Sequence, residues 1–78
     1  MNHRDEIIKI IASISILEET DIGEEDTLSN IGIDSLKAVE LIIALEDGFR
    51  ITFEDSDLDP ARLTTVKSII DLVEKYLK

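Results

Sequence analysis

The sequence has 78 residues, with 18 acidic and 8 basic side chains and a formal net charge of −10. A chain of this length forms one domain, residues 1–78, that buries only about 60–65% of its unfolded surface. Its charge repels nucleic acid and anionic membranes and favours a basic protein partner, and no apolar run approaches the roughly 18 residues of a membrane span. The absence of cysteine excludes disulfides and a protein thiol nucleophile.

The N-terminal stretch has the spacing of an amphipathic helix. Asn2 is a candidate N-cap, and Ile8 and Ile16 lie at the margins of the apolar face. His3, the only histidine, is expected to be solvated. No basic, apolar leader is visible, so the expected location is cytoplasmic. The positions that follow the i, i+3, i+4, i+7 rule are Ile7, Ile10, Ile11, Ile14 and Leu17.

Periodicity fades over residues 18–29, where acidic side chains cluster. This stretch is predicted to be a long solvated connection. Ile22, Leu28 and Ile31 are its expected anchors in the core, because a loop of this length in so small a domain needs packing of its own.

Residues 32–36 mark the start of the second predicted helix, which continues to about residue 47. Gly32 gives the freedom for a tight turn, Asp34 is a good N-cap, and Gly48 is expected to help end the helix. Ser35 falls in the first turn, beside unpaired N–H groups that favour a phosphate by roughly 0.3–1 kcal/mol. From these residues alone, Ser35 is either a phosphate site or part of a helix cap.

The second helix has two apolar faces. At about 100° per residue, one face suits the core and contains Ala38, Leu41, Ile42, Leu45 and Phe49. A separate apolar stripe, with acids on both sides, is either a docking surface or is covered by neighbouring loops. The stripe contains Leu36, Val39 and Ile43, and its bordering acids are Glu40, Glu46 and Asp47.

The third quarter of the chain is predicted to be irregular. Residues 50–54 alternate like a strand, but they have no partner strand and are expected to form an extended loop that buries Ile51 and Phe53. Three aspartates at alternate positions from residue 55 resemble the start of a calcium loop, yet Pro60 and Val66 stand where that loop needs glycine and glutamate. No metal site is therefore predicted. Pro60 instead suits the first turn of a short helix over residues 60–63.

The last helix is predicted to begin after Thr64 or Thr65, either of which can cap it. Its single apolar face contains Val66, Ile69, Ile70, Val73 and Tyr76 or Leu77.

Residues 26–45 read DTLSNIGIDSLKAVELIIAL and closely resemble the signature of the acyl carrier protein family. The resemblance extends over nearly the whole chain and implies an all-α, four-helix bundle with three longer helices and one short one. It also implies that Ser35 carries a covalent 4′-phosphopantetheine arm derived from coenzyme A. Asp34 would help position the attachment reaction, and acyl groups would be held as thioesters on the arm.

The resemblance further implies a freestanding, monomeric carrier without catalytic residues of its own. Its partners would be a phosphopantetheinyl transferase and acyl-activating, acyl-transfer or condensing enzymes, whose basic patches would meet the stripe and acids of the second helix. An acyl chain could be sheltered between the helices, by residues predicted from the helix faces to be Leu45, Ile51, Phe53, Val66 and Ile70.

One departure from the family pattern concerns Lys37, which stands where many fatty-acid carriers have an acid. This lysine leaves open which transferase acts on the chain, and makes a carrier for specialised polyketide, lipid or aminoacyl transfer as plausible as one for fatty-acid synthesis. The chain lacks the nucleophile elbow and the suitably placed histidine that a serine hydrolase requires. A non-enzymatic helical interaction module is a further alternative, in which Ser35 would be only a helix cap.

Overall fold

Three α-helices form where the apolar periodicity predicts them. The computed structural model describes residues 3–59 and 61–77, so the proposed cap Asn2 lies outside the described residues. The helices are α1 (His3–Ile14), α2 (Ser35–Phe49) and α3 (Val66–Leu77), and single 3₁₀ turns occur at Glu19–Asp21, Ser29–Ile31 and Asp55–Asp57. Over this part of the chain the only β pairing is an isolated bridge between Thr27 and Thr65. The fold is therefore all-α, as predicted, and no helix within residues 3–59 and 61–77 is long and apolar enough to cross a membrane.

The core lies between the three helices and is built from branched aliphatic side chains. The predicted α3 face is confirmed, because Val66 and Val73 are completely buried. The α1 face is confirmed in part: Ile7 and Ile11 are completely buried, but the other three predicted residues, Ile10, Ile14 and Leu17, are half-buried, and Leu17 lies beyond the end of the helix. Ile8, expected at a margin, is also buried, whereas Ile16 is 74% exposed. The difference arises because α1 ends at Ile14, so that Ile16 belongs to the following turn and not to the helix face.

The long connection between α1 and α2 is anchored as predicted. Ile22, Leu28 and Ile31 are buried, and backbone carbonyls of the loop accept hydrogen bonds from the start of α3. The N–H groups of Val66 and Lys67 donate to the carbonyls of Asp26 and Glu24, each at 3.0 Å. These bonds satisfy N–H groups that a helix start leaves without an intrahelical partner, so the loop is a fixed part of the fold.

Thr65 caps α3 through a reciprocal pair of hydrogen bonds. The N–H of Ser68 donates to Thr65 Oγ1 at 3.2 Å, and the N–H of Thr65 donates to Ser68 Oγ at 3.1 Å. This arrangement is a capping box in which serine takes the place of the usual glutamate or glutamine. The prediction that Thr64 or Thr65 caps this helix is confirmed, with Thr65 as the residue.

The prediction that Gly48 helps end α2 is wrong. The helix continues through Phe49, and Arg50 ends it in the left-handed conformation, with φ 56° and ψ 47°. The N–H groups of Arg50 and Ile51 both donate to the carbonyl of Glu46. Gly48 instead lies where α1 comes close, since a Cβ at this position would lie 2.9 Å from Ile10 Cδ1.

Residues 51–54 form no helix or strand, in agreement with the loop predicted over residues 50–54, although Arg50 is left-handed. Phe53 is buried as predicted, whereas Ile51 is only half-buried. The structure does not confirm the short helix predicted over residues 60–63. Pro60 lies outside the described residues, and the N–H groups of Arg62 and Leu63 both donate to the Asp59 carbonyl in a turn. The 3₁₀ turn between α2 and α3 comes earlier, at Asp55–Asp57.

Candidate functional site

Ser35 is the first residue of α2, and its side chain is exposed. Asp34 is the N-cap, as predicted, and its Oδ1 accepts a hydrogen bond from the N–H of Lys37 at 2.9 Å. The Ser35 hydroxyl makes no hydrogen bond within the part of the chain that the structure describes. The capping role therefore belongs to Asp34, and the hydroxyl of Ser35 is left available at the helix N-terminus.

The turn at residues 32–34, just before Ser35, is fixed by a bond to the preceding loop and by a bond to the first turn of α2. Gly32 has φ 84°, in the left-handed region that glycine adopts without a steric cost. Ile33 is buried, and its N–H donates to the Leu28 carbonyl at 2.8 Å. With Ile33 fixed in the core and Asp34 bonded to the first turn, the position of Ser35 is set by the backbone.

An open, largely apolar groove of about 520 Å³ is lined by Ser35, by further residues of α2 and of the loop before it, and by Leu58, Leu63 and Thr64. Ten of its fifteen lining residues are apolar, and the others are Asp34 and four hydroxyl side chains. The full lining is Thr27, Leu28, Ser29, Ile33, Asp34, Ser35, Ala38, Val39, Leu41, Ile42, Ile43, Leu58, Leu63, Thr64 and Ile69.

The residues predicted to shelter an acyl chain do not line this groove. Leu45, Phe53, Val66 and Ile70 are buried in the solid core, and Ile51 is half-buried beside it. Helix faces that point at one another pack closely and leave no space. The space lies instead beside α2, where Leu58, Leu63 and Thr64 contribute to the lining.

The apolar stripe of α2 is not covered by loops. Leu36, Val39 and Ile43 are 71%, 57% and 59% exposed, and Glu40 and Asp47 beside them are exposed as well. An exposed apolar stripe with acidic neighbours is typical of a surface where charge guides encounter and apolar contact supplies affinity.

Glu46 differs from the other two acids predicted to border this stripe. It is half-buried, and its Oε2 accepts a hydrogen bond from the N–H of Phe53 at 2.8 Å. Its carboxylate therefore holds the segment after α2 in place, and we leave Glu46 out of the candidate docking surface.

The only histidine of the sequence lies far from Ser35. The ring of His3, the only imidazole in the sequence, lies 6.3 Å from that of Phe49, at the opposite end of α2. Ser35 and Phe49 are the two ends of the 15-residue helix α2, a distance on the order of 20 Å at 1.5 Å per residue. A serine–histidine pair is thus excluded by the geometry.

Two features of the site were not found from the sequence. The sequence pattern places Ile16 at the margin of α1, but the helix ends at Ile14 and the Ile16 side chain packs against Gly32, three residues before Ser35. Leu58 and Leu63 line the groove, but they belong to a segment without periodicity, where the sequence gives no signal of which side chains share a surface.

Fold and site together define a small, acidic, helical domain with an exposed serine at the start of α2. A model of the phosphopantetheine attachment site family matches residues 5–73. The acyl carrier protein of Buchnera aphidicola subsp. Baizongia pistaciae is 36% identical over 77 residues, which cover 97% of this chain and 96% of that protein. The chain therefore belongs to the phosphopantetheine attachment family, as an acyl carrier protein.

Solved structures agree with this assignment. One is the carrier protein from Agrobacterium tumefaciens in complex with an engineered Bradyrhizobium japonicum glycine:[carrier protein] ligase and ATP, with a TM-score of 0.77, 26% identity, and coverage of 94% of this chain and 99% of that chain. Another is the cognate carrier protein of the Bradyrhizobium japonicum ligase, bound with an analogue of glycyl adenylate, with a TM-score of 0.73, 26% identity, and coverage of 95% and 99%.

Family membership confirms three predictions made from the resemblance. The chain is a carrier and not an enzyme, it carries acyl groups, and its prosthetic group is a covalently attached 4′-phosphopantetheine.

Proposed function

We propose that Ser35 is the residue to which the 4′-phosphopantetheine arm is attached. The observation that carries this proposal is the exposed Ser35 hydroxyl, which makes no hydrogen bond to any of the described residues, the capping bond being made by Asp34. The hydroxyl attacks the pyrophosphate of coenzyme A, a phosphodiester forms, and the nucleotide part leaves. The alternative, an interaction module in which Ser35 serves only as the helix cap, does not explain this serine, because the cap is Asp34.

The residues around Ser35 suit a phosphodiester. The N-terminus of α2 carries a partial positive charge, which favours a phosphate anion placed on the first turn. Asp34 keeps this turn in place through its bond to the Lys37 N–H, and in the transferase complex it is positioned to face the reacting groups. The prosthetic group supplies the thiol that the cysteine-free chain lacks.

The groove gives the arm and its cargo a place to lie. It is lined in part by Ser35, is mainly apolar, and has a volume of about 520 Å³. Leu58 and Leu63 contribute to the lining, so an acyl chain that entered would contact them. Contact with the apolar lining would protect a thioester cargo from water between partner enzymes.

The proposed docking surface is the exposed stripe of Leu36, Val39 and Ile43, together with Glu40 and Asp47. The partners are the phosphopantetheinyl transferase and acyl-activating, acyl-transfer or condensing enzymes with basic patches. The solved complexes with a glycine:[carrier protein] ligase support an aminoacyl-activating enzyme among these partners. The net charge of −10 favours each of these encounters at low salt.

The attachment is tested by the intact mass after incubation with coenzyme A, Mg²⁺ and a broad-specificity transferase. We expect one phosphopantetheine to be added to the wild-type chain and none to Ser35→Ala. Ser29→Ala is the matched control, because Ser29 is an exposed serine that also lines the groove. Modification that persists in Ser35→Ala would disprove the assignment.

The groove is tested by loading the arm with a glycyl or an octanoyl group and recording methyl NMR spectra. We expect the octanoyl group to shift the methyl signals of Leu58 and Leu63, and the glycyl group to leave them unchanged. The methyl signals of Leu45, which is completely buried in the core, serve as the internal control. Identical spectra for the two cargoes would exclude the groove as a shelter for acyl chains.

A further inference from the structure

Four large apolar side chains are exposed among the described residues. Three of them form the α2 stripe, and the fourth comes from the turn after α1. Single exposed apolar residues are common on protein surfaces, so exposure alone assigns no role to the fourth. The four residues are Ile16, Leu36, Val39 and Ile43.

Ile16 is held in a fixed position although it is exposed. Its N–H donates to the Ile31 carbonyl at 3.1 Å, and the N–H of Leu17 donates to Ser15 Oγ at 3.1 Å. Its side chain covers Gly32 so closely that a Cβ on this glycine would lie 2.9 Å from Ile16 Cγ2. A side chain ordered in this way loses little further freedom on binding, which favours a contact residue.

Ile16 also lies close to Ser35. Gly32 precedes Ser35 by three residues, so their Cα atoms are at most about 11 Å apart. A typical interface buries about 800 Å² on each partner and so extends on the order of 15 Å from its centre. An enzyme centred on the Ser35 hydroxyl therefore reaches the turn that carries Ile16. Because Ile16 does not line the groove, this contact leaves the groove free.

We propose that Ile16 is a docking residue for the phosphopantetheinyl transferase, a proposal that rests on the attachment at Ser35. The transferase has to bring its active site to Ser35 itself, whereas enzymes that act on the thiol work at the far end of the arm. Glu18, Glu19 and Asp21 follow Ile16 and are exposed. The complementary surface on the transferase is thus an apolar depression bordered by basic side chains.

The test compares Ile16→Thr and Ile16→Gln with Ile16→Val. Threonine keeps the branched shape that packs on Gly32 but adds a hydroxyl, and valine keeps both the shape and the apolar character. Initial rates of mass gain are measured with a purified transferase, coenzyme A and Mg²⁺ at several carrier concentrations. We expect the two polar variants to raise the KM for the carrier about tenfold, equivalent to about 1.4 kcal/mol, with kcat unchanged. Valine is expected to behave like the wild type, and all melting temperatures to stay close together.

The possible outcomes separate this inference from the attachment itself. Wild-type KM values in both polar variants would overturn the role of Ile16 while leaving Ser35 as the attachment residue. An equal rise in KM for Ile16→Val would also overturn it, because the shape of the turn and not apolar contact would then be responsible. Absence of any mass gain on the wild-type chain would overturn the attachment and, with it, this inference.

Discussion

The hydroxyl of Tyr76, near the end of α3, lies 2.5 Å from Oδ2 of Asp57 in the segment that precedes this helix. The same hydroxyl accepts a hydrogen bond from the N–H of Glu54 at 2.9 Å, and Asp57 Oδ1 accepts one from Lys75 Nζ at 3.0 Å. The Tyr76 ring packs edge-on against Phe53, with centroids 5.0 Å apart. One side chain therefore ties the segment between α2 and α3 to the last helix.

Tyr76→Phe is expected to lower the melting temperature by a few degrees. The variant keeps the ring contact with Phe53 but leaves the Glu54 N–H and one oxygen of Asp57 without their partner. Lys75→Met is the control, since it removes the ion pair of an exposed lysine with Asp57 and the contact of Lys75 Nζ with the Tyr76 ring, 5.9 Å from its centroid, and it is expected to have a smaller effect. Melting followed by circular dichroism checks the prediction, and equal melting temperatures for Tyr76→Phe and wild type would contradict it.

The stabilising effect of the Tyr76 hydroxyl is expected to depend on pH. The hydrogen bond from the Tyr76 hydroxyl is the main cause that lowers the pKa of Asp57 below the usual 3.8, and the hydrogen bond from Lys75 is the second. The same bond between Tyr76 and Asp57 raises the pKa of Tyr76 above 10.0. A lowered acid pKa gives stability that is present above pH 3.8 and is lost as the pH falls through the lowered value. A raised tyrosine pKa gives stability that is present below pH 10.0 and is lost as the pH rises through the raised value.

The difference in unfolding free energy between wild type and Tyr76→Phe should therefore be largest between about pH 4 and pH 10. Urea titrations of both proteins at pH 3 and pH 7 measure it. Subtracting the unfolding free energy of the variant from that of the wild type removes the contribution of the other carboxylates, because these titrate in both proteins. The same difference at the two pH values would argue against the assigned hydrogen bond.

Sequence periodicity predicted the parts of the fold that depend on helix faces. Ile7, Leu41 and Val73 recur at helical spacing and are buried, and the α2 stripe fits no core face and is exposed. The predictions based on single residues were less successful. Glycine is common at helix ends, but Gly48 lies within α2, where the absence of a side chain lets Ile10 of α1 pack closely against the helix.

The groove could not have been predicted by the same reasoning. Its lining includes Leu58 and Leu63, whose positions depend on a turn stabilised by the Asp59 carbonyl and not on a repeating pattern. Opposed helix faces such as those of Leu45 and Ile70 fill the core and leave no cavity. Sequence periodicity thus predicts which helix residues are buried. A groove depends on where the irregular segments pack against a helix, which periodicity does not predict.

Gly32→Ala is expected to destabilise the fold by about 1–2 kcal/mol or more. An alanine there meets the steric cost of φ 84°, and its Cβ would lie 2.9 Å from Ile16 Cγ2. Gly23→Ala is the matched control, because its nearest contact would be an ordinary 3.7 Å to Asp26 Oδ2 and its φ is negative. Urea unfolding of the two variants checks this prediction, and an equally small loss in both would show that the turn tolerates a side chain.

Arg50→Gly is expected to stabilise the protein by about 0.5–1 kcal/mol. Arg50 is the only non-glycine with positive φ among the described residues, and glycine adopts this helix-ending conformation without the steric cost of a Cβ. Arg50→Ala removes the same long side chain but keeps the Cβ, so it should show no such gain. Chemical denaturation separates the two effects, and equal stability of the glycine and alanine variants would mean that the backbone at this position is not strained.

The two roles of Asp34 are expected to separate in a pair of variants. Asp34→Ala removes the side chain that accepts the Lys37 N–H and should cost about 1 kcal/mol of stability. Asp34→Asn keeps an oxygen in the capping position and should remain close to wild type in stability, but it removes the negative charge beside Ser35. If this charge takes part in the attachment, the asparagine variant will be modified more slowly than wild type at equal folding. Unfolding curves and transferase rates for both variants measure the two effects. A fully stable asparagine variant that is modified at the wild-type rate would restrict Asp34 to the helix cap.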